Sequence, residues 1–236
     1  IAPSFPPSTY PRFCSPKEMG DFVLDSGFNM ISIANNHMLD KGEAGLRDSL
    51  NYWSGQDKAV VSGAFFDEED MNTIHVKEKN GIKLALIAYT YATNGIKATP
   101  PFRVNYIDDK QIAQDIARAK SQQPDAIIAL MHWGEEYHSL PSKAQKTLAD
   151  KLFSQGVTHI IGSHPHVVQP IELRTDSAAA TRRLLVYSLG NFISGMSANK
   201  TDGGLMVRMT LEKHRQKTTL KHADYSLVWT LRPAHN

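Results

Sequence analysis

Residues 162–170 read GSHPHVVQP and follow the apolar run VTHII. Two histidines flanking a proline at the end of a strand-like run are either part of a surface loop or a pair of metal ligands. Proline holds φ at about −65° and favours an extended path, and in an extended segment residues two apart project to the same side. The spacing therefore predicts that His164 and His166 converge on one centre while Pro165 points away. Gly162 would let the backbone turn sharply just ahead of them. Neutral imidazole is the commonest metal ligand, so metal binding is the leading reading of the pair.

Two other strand-like runs also end in polar clusters. ISIA leads into Asn35-Asn36-His37, and IIALM into His132-Trp133-Gly134-Glu135-Glu136. In layered α/β folds ligands gather outside the carboxyl ends of strands, so if the three strands are parallel neighbours their loops share one edge. Five of the ten histidines lie between 132 and 166, and His37 would join them by this argument. Glu135 and Glu136 are either a solvated pair or acidic groups suited to acid/base work beside histidines. Asn191, in SLGNFI, would reach the same edge if its strand runs parallel to the others. His75, His138, His214, His222 and His235 are read as surface or capped residues, and His159 as a packing residue inside a strand.

Several chemistries are excluded or disfavoured. The charge is +2, and the one basic cluster, EKHRQK at 212–217, reads as a solvated hairpin turn with no interleaved aromatics, against nucleic-acid binding. The single cysteine, Cys14, rules out an intrachain disulfide and reads as a spectator thiol. No apolar run is long enough to span a bilayer. There is no phosphate-cradling loop, no dinucleotide fingerprint and no Gly-x-Ser-x-Gly elbow, so Ser163 is a poor nucleophile.

The elements that must position these residues follow from pattern. A proline-rich lead-in precedes SPKE at 15–18, a capping box with Ser15 as N-cap, Pro16 in the first helical position and Glu18 reaching back. Gly27 ends that helix. FNMISIA (28–34) reads as a strand and EAGLRDSLNYW (43–53) as an amphipathic helix. Asn80-Gly81 joins two strands of a hairpin. Asp108 or Asp109 caps a helix to about Lys120, DAIIALM (125–131) is a strand, and Ser142 with Gln145 opens a helix closed by Gly156. VTHII, RLLVYSLGNFI, GLMVRMTLE and ADYSLVWTL are further strands. Alternating strands and helices predict an α/β fold with helices packed outside a mixed sheet, in one domain spanning 1–236.

The stretches SIANNHMLDKGEAGL (32–46), LMHWGEEY (130–137), GVTHIIGSHPHVVQPIE (156–172) and VYSLGNFI (186–193) resemble, in this order, the CapA/PgsA capsule-synthesis family of poly-γ-glutamate biosynthesis. The resemblance runs from about residue 10 to 210. It implies a fold similar to calcineurin-like metallophosphoesterases, a four-layer α/β/β/α sandwich around a two-metal centre of Mn, Fe or Zn. It makes Asn36, His132, His164 and His166 metal ligands and His37 an acid beside the scissile group. Glu136 would take a catalytic part, with Glu135, Tyr137 and Asn191 facing substrate.

One departure accompanies the resemblance. The family begins with a strand ending in Gly-Asp and an Asn-Leu-Glu segment whose carboxylates help hold the metals; here the only early Gly-Asp, at 20–21, falls within a predicted helix. The expectation is that an N-terminal part of the natural protein, including a membrane anchor, precedes residue 1. Hard divalent ions held by imidazole and amide alone would be held weakly. Two functions follow: a metal-dependent hydrolase of a phosphoester or of an amide in an anionic polymer, or a non-catalytic polymer-binding component of a surface complex with other capsule-synthesis membrane proteins. A poly-γ-glutamate partner would meet the metals and local cations such as Arg12 or Arg103 at the outer face of the membrane.

Overall fold

The computed structural model describes residues 1–176 and 181–230, and the side chain of Asp176 is outside it. His235 therefore lies outside the described residues. The elements, in chain order, are α1 (Lys17–Asp25), β1 (Met30–Ser32), α2 (Gly42–Ser54), β2 (Val60–Ser62), β3 (Ala64–Phe65), α3 (Glu68–Met71), β4 (His75–Lys79) and β5 (Ile82–Thr90). They continue with β6 (Arg103–Val104), α4 (Asp109–Ser121), β7 (Ala126–His132), α5 (Lys143–Gln155), β8 (His159–Ser163), β9 (Ile171–Asp176), β10 (Thr181–Val186), β11 (Gly203–His214) and β12 (Lys217–Trp229). Two compact units emerge: unit 1 from Ile1–Lys77 and Ala85–Pro124, unit 2 from Glu78–Leu84 and the chain from Asp125 onward.

In unit 1, α2 buries Leu46, Leu50 and Trp53, residues spaced to fall along one helical stripe. They pack with Leu24, Ile33, Leu39, Phe102 and Val104 into one core. β1 and β2 pair in parallel as a two-stranded sheet of their own. The α1 start differs from the sequence expectation. Pro16 takes an extended ψ of 163° and is itself the N-cap, so the helix begins one residue later and Ser15 makes no capping box. Asp108 does cap α4, accepting from Gln111 N.

Unit 2 carries the strands that end in histidine clusters. β7 and β8 pair in parallel from Ile128↔His159 to His132↔Ser163, so both deliver their carboxyl ends to one edge. β10 lies parallel to β8, and β9 antiparallel to β10. Because β1 pairs elsewhere, the shared-edge argument holds for two of the three strand ends. The strand expected through Asn191 stops at Val186. α5 opens with the expected Ser142/Gln145 capping box and stops at Gly156, whose φ is 107°. The β11–β12 hairpin turns where EKHRQK predicted a turn, and its Val207, Met209 and Leu211 cover Leu184 and Val186 of β10.

Candidate metal centre

The edge shared by β7 and β8 assembles the candidate centre. One ligand atom from each of Glu136, His164 and His166 lies within 4.8 Å of the others, with His164 buried and Glu136 exposed. The His132 and His164 rings are 4.7 Å apart at their centroids, and those of His164 and His166 are 6.1 Å apart. The convergence expected of the histidines is there, but the extended path expected to produce it is not. His164 and His166 adopt φ of 100° and 61°, a region costly for residues with a Cβ and held only by surrounding contacts. Pro165 does not simply space two extended residues. Its carbonyl accepts from Tyr137 N at 2.8 Å, which fastens the Glu136 loop to the histidine turn.

The centre is braced from outside. Asn191 Oδ1 lies 2.9 Å from His166 Nδ1, and Asn191 Nδ2 donates to Thr201 O at 2.8 Å. His132 Nδ1 lies 3.2 Å from Ser163 Oγ, so Ser163 serves as a partner of that imidazole. The loop after His132 is pinned by a buried glutamine pair. Gln145 Nε2 donates to Gln169 Oε1 at 2.9 Å, and Gln169 Nε2 donates to His138 O at 2.8 Å. Neither glutamine was singled out from sequence for this job; Gln145 was legible only as the capping-box partner.

Gly162 is required for a different reason from the expected turn. A Cβ there would lie 2.0 Å from Tyr187 O and 2.5 Å from Trp133 Nε1. The Trp133 indole N–H donates to that same carbonyl at 2.9 Å across the bare glycine. Trp133 is thereby fixed in the core directly after His132.

Of the residues proposed to face substrate, Tyr137 is half-exposed and stacks near His166 at 6.4 Å. Glu135 points to His138, 3.7 Å away and equally exposed. Asn191 directs its amide to His166 and Thr201 as above. Arg103, expected as a local cation for an anionic polymer, reaches Glu68 at 3.3 Å and the Pro101 and Phe102 carbonyls. Arg12 is exposed.

Asn36 and His37 belong to unit 1 and form their own cluster. His37 Nδ1 lies 2.8 Å from Asp40 Oδ2. A carboxylate only accepts, so in the shorter contact the imidazole donates from Nδ1 to Asp40, while Asn94 Nδ2 lies 3.3 Å from the same nitrogen; together they orient the ring. Asp40 is buried and also accepts from Phe13 N at 2.7 Å, which fixes it from a second side. Asn36 Nδ2 donates to Asn94 Oδ1 at 3.2 Å. Asp40 was missed in the sequence reading although it stands three residues after His37; Asn94, distant in sequence, gave no signal.

Two imidazoles and a carboxylate form the nitrogen and oxygen donor set that first-row divalent ions take, so the residues fit such an ion. The comparisons bear on the same question. A family profile described as "Bacterial capsule synthesis protein PGA_cap" matches residues 2–196. The chain belongs to this capsule-synthesis family. Among PGA_cap relatives, "Capsule biosynthesis protein CapA" of Bacillus anthracis is 31% identical over 80% of this chain and 46% of its own length. "PGA biosynthesis protein CapA" of Bacillus subtilis is 29% identical over 84% of this chain and 51% of its own. The chain thus spans about half the length of the curated relatives it matches.

Solved structures similar to this PGA_cap chain share its α/β fold. A calcineurin-like phosphoesterase of Bacillus subtilis, YfkN, aligns with a TM-score of 0.51 and 18% identity, covering 88% of this chain and 65% of that one. The NAD nucleotidase of Haemophilus influenzae gives 0.52 and 13%, covering 88% and 37%. The fold is therefore that of the calcineurin-like metallophosphoesterases, as the sequence resemblance implied.

Proposed function

We propose that this chain is a metal-dependent hydrolase acting in capsule synthesis at the bacterial cell surface, with a phosphoester as its substrate class. The observation that carries the proposal is the convergence of Glu136, His164 and His166 to within 4.8 Å. His132 is the fourth candidate ligand, with its ring beside that of His164. The ion is Mn, Fe or Zn, and Asn36 is the ligand proposed for a second one. When bound, such an ion supplies Lewis-acid polarisation of an oxygen and lowers the pKa of its water. The chain's own part is to hold these donors still: Asn191 and Ser163 orient two imidazoles, and the Tyr137–Pro165 bond holds the carboxylate's loop. His37, oriented by Asp40, is the group proposed to move a proton.

Among the described residues no helix is long and apolar enough to cross a membrane. A place on the outer face of the membrane, attached through another segment, is part of the proposal, as is a poly-γ-glutamate partner suited to a capsule-synthesis family. A second reading has an observation in its favour: Glu136 is the one carboxylate of the group and is exposed. A site so poor in carboxylate suits a polymer-binding component as well. Turnover separates the two. Purified protein is assayed with manganese on bis-p-nitrophenyl phosphate, nucleotides and poly-γ-glutamate, beside His166→Ala. Phosphoester turnover lost in the variant supports the hydrolase; release of glutamate units supports amide cleavage; binding of polymer without turnover supports the second reading.

A further inference from the structure

Asn191 follows Gly190, which takes φ of 69°. Its backbone N–H donates to Gly203 O at 3.1 Å, which locks the residue in place. Its side chain then spans His166 and Thr201, with Met196 Sδ a weaker third partner of the amide nitrogen at 3.8 Å. Thr201 O is a carbonyl and can only accept, so the amide nitrogen of Asn191 must face it, as the 2.8 Å contact has it. That orientation leaves Oδ1 toward His166 Nδ1 at 2.9 Å. An amide oxygen cannot donate. His166 must therefore carry a proton on Nδ1, and in the neutral ring the lone pair is then on Nε2.

The anchor at the far end is itself rigid. Thr201 is fully buried, and its hydroxyl donates to Ala198 O at 2.6 Å. A flip of the Asn191 amide would set two acceptors, Oδ1 and Thr201 O, against each other, so the relay has one sense only. Thr201, ten residues away in sequence, dictates the direction of the hydrogen bond to His166.

We infer that Asn191 is a positioning residue: through Thr201 O it fixes the Nδ1–H tautomer of His166 and presents Nε2 as the ligand atom. This deepens the metal-site reading above and rests on it for its consequence, not for the tautomer. Partners that orient metal-ligating imidazoles in this way typically contribute about 10–100-fold in metal affinity. In this reading Asn191 acts through His166.

The test has two readouts. Long-range proton–nitrogen NMR of metal-free protein reports which His166 nitrogen is protonated, with His166→Gln identifying the signal. Mn2+ titration reports affinity for wild type, Asn191→Leu and Asn191→Asp. The expected result is Nδ1–H in the wild type, mixed tautomers and about 10–100-fold weaker Mn2+ binding in Asn191→Leu, and a retained tautomer in Asn191→Asp, whose one carboxylate oxygen still accepts from Nδ1 while the other, opposed to Thr201 O, lowers stability. An Nε2–H tautomer in the wild type, or an Asn191→Leu variant unchanged in both readouts, overturns the inference. If wild type takes up no Mn2+, the metal reading fails while the tautomer still decides the inference. If Asn191→Leu does not fold, the wild-type and Asn191→Asp spectra decide it.

Discussion

Tyr137 N donates to Pro165 O at 2.8 Å, joining the loop that carries Glu136 to the residue between His164 and His166. This backbone hydrogen bond holds the carboxylate's loop to the histidine turn, beside the Gln145–Gln169 pair that pins the same loop. The bond depends on the path of the loop after His132, and Gly134 governs that path. Gly134 sits at φ 88°, and a Cβ there would lie 2.7 Å from Gln145.

Gly134→Ala should accordingly cost about 2 kcal/mol or more, from left-handed strain plus displacement of the buried Gln145–Gln169 pair. Urea denaturation measures the stability, and Mn2+ titration should show weaker binding in the same variant. Unchanged stability would mean that the loop is not held by this contact.

Gly162→Ala should be more severe. The added methyl would meet the Tyr187 carbonyl at 2.0 Å, a backbone atom just past the end of β10 that cannot swing aside as a side chain could. A loss of about 3 kcal/mol or more is expected, with a shift in Trp133 fluorescence as its bond to the same carbonyl breaks.

Asp40→Ala should leave Phe13 N without its buried acceptor, at a cost of about 1–3 kcal/mol. It also takes from His37 Nδ1 the nearer of its two partners, leaving Asn94 Nδ2 at 3.3 Å to orient the ring. Any turnover that depends on His37 should fall in this variant even at temperatures where the protein remains folded, as circular dichroism would verify. Full turnover in folded Asp40→Ala would remove His37 orientation from the account.

Stability should also fall in mild acid through His159. Burial, and secondarily the nearby Arg183 charge, hold its pKa down to about 4 from an ordinary 6.5. Leu184 N donates to its Nδ1 at 3.1 Å, a bond that needs the neutral ring. The unfolded chain binds the proton more readily, so stability is complete above about pH 6.5 and is lost progressively down to about pH 4, by about 3 kcal/mol in all. In His159→Asn, which keeps an acceptor near the same place, melting temperature should decline less over that window. An equal decline would assign the acid sensitivity to other groups.

What the sequence disclosed was mostly local. The Ser142/Gln145 box, the Asn80-Gly81 turn and the Asp108 cap depend on residues three or fewer apart, and each formed. The Ser15 box failed because Pro16 took the extended N-cap conformation itself. The histidine cluster was legible because two parallel strands carry it to one edge, yet its backbone was not. The left-handed turns at His164 and His166 are held by partners outside the motif, at Tyr137 and Asn191. Periodicity has no view of such contacts. The tie from Thr201 through Asn191 likewise became visible only with the chain folded.

The central claim is the ion at Glu136, His164 and His166, and the most direct test is metal content by plasma mass spectrometry on protein purified without chelator. The His164→Ala/His166→Ala double variant is measured beside it. The account predicts near-stoichiometric manganese, iron or zinc in the wild type and its disappearance in the variant. Metal-free wild type that stays empty on addition of all three ions, or equal metal in both proteins, would contradict it.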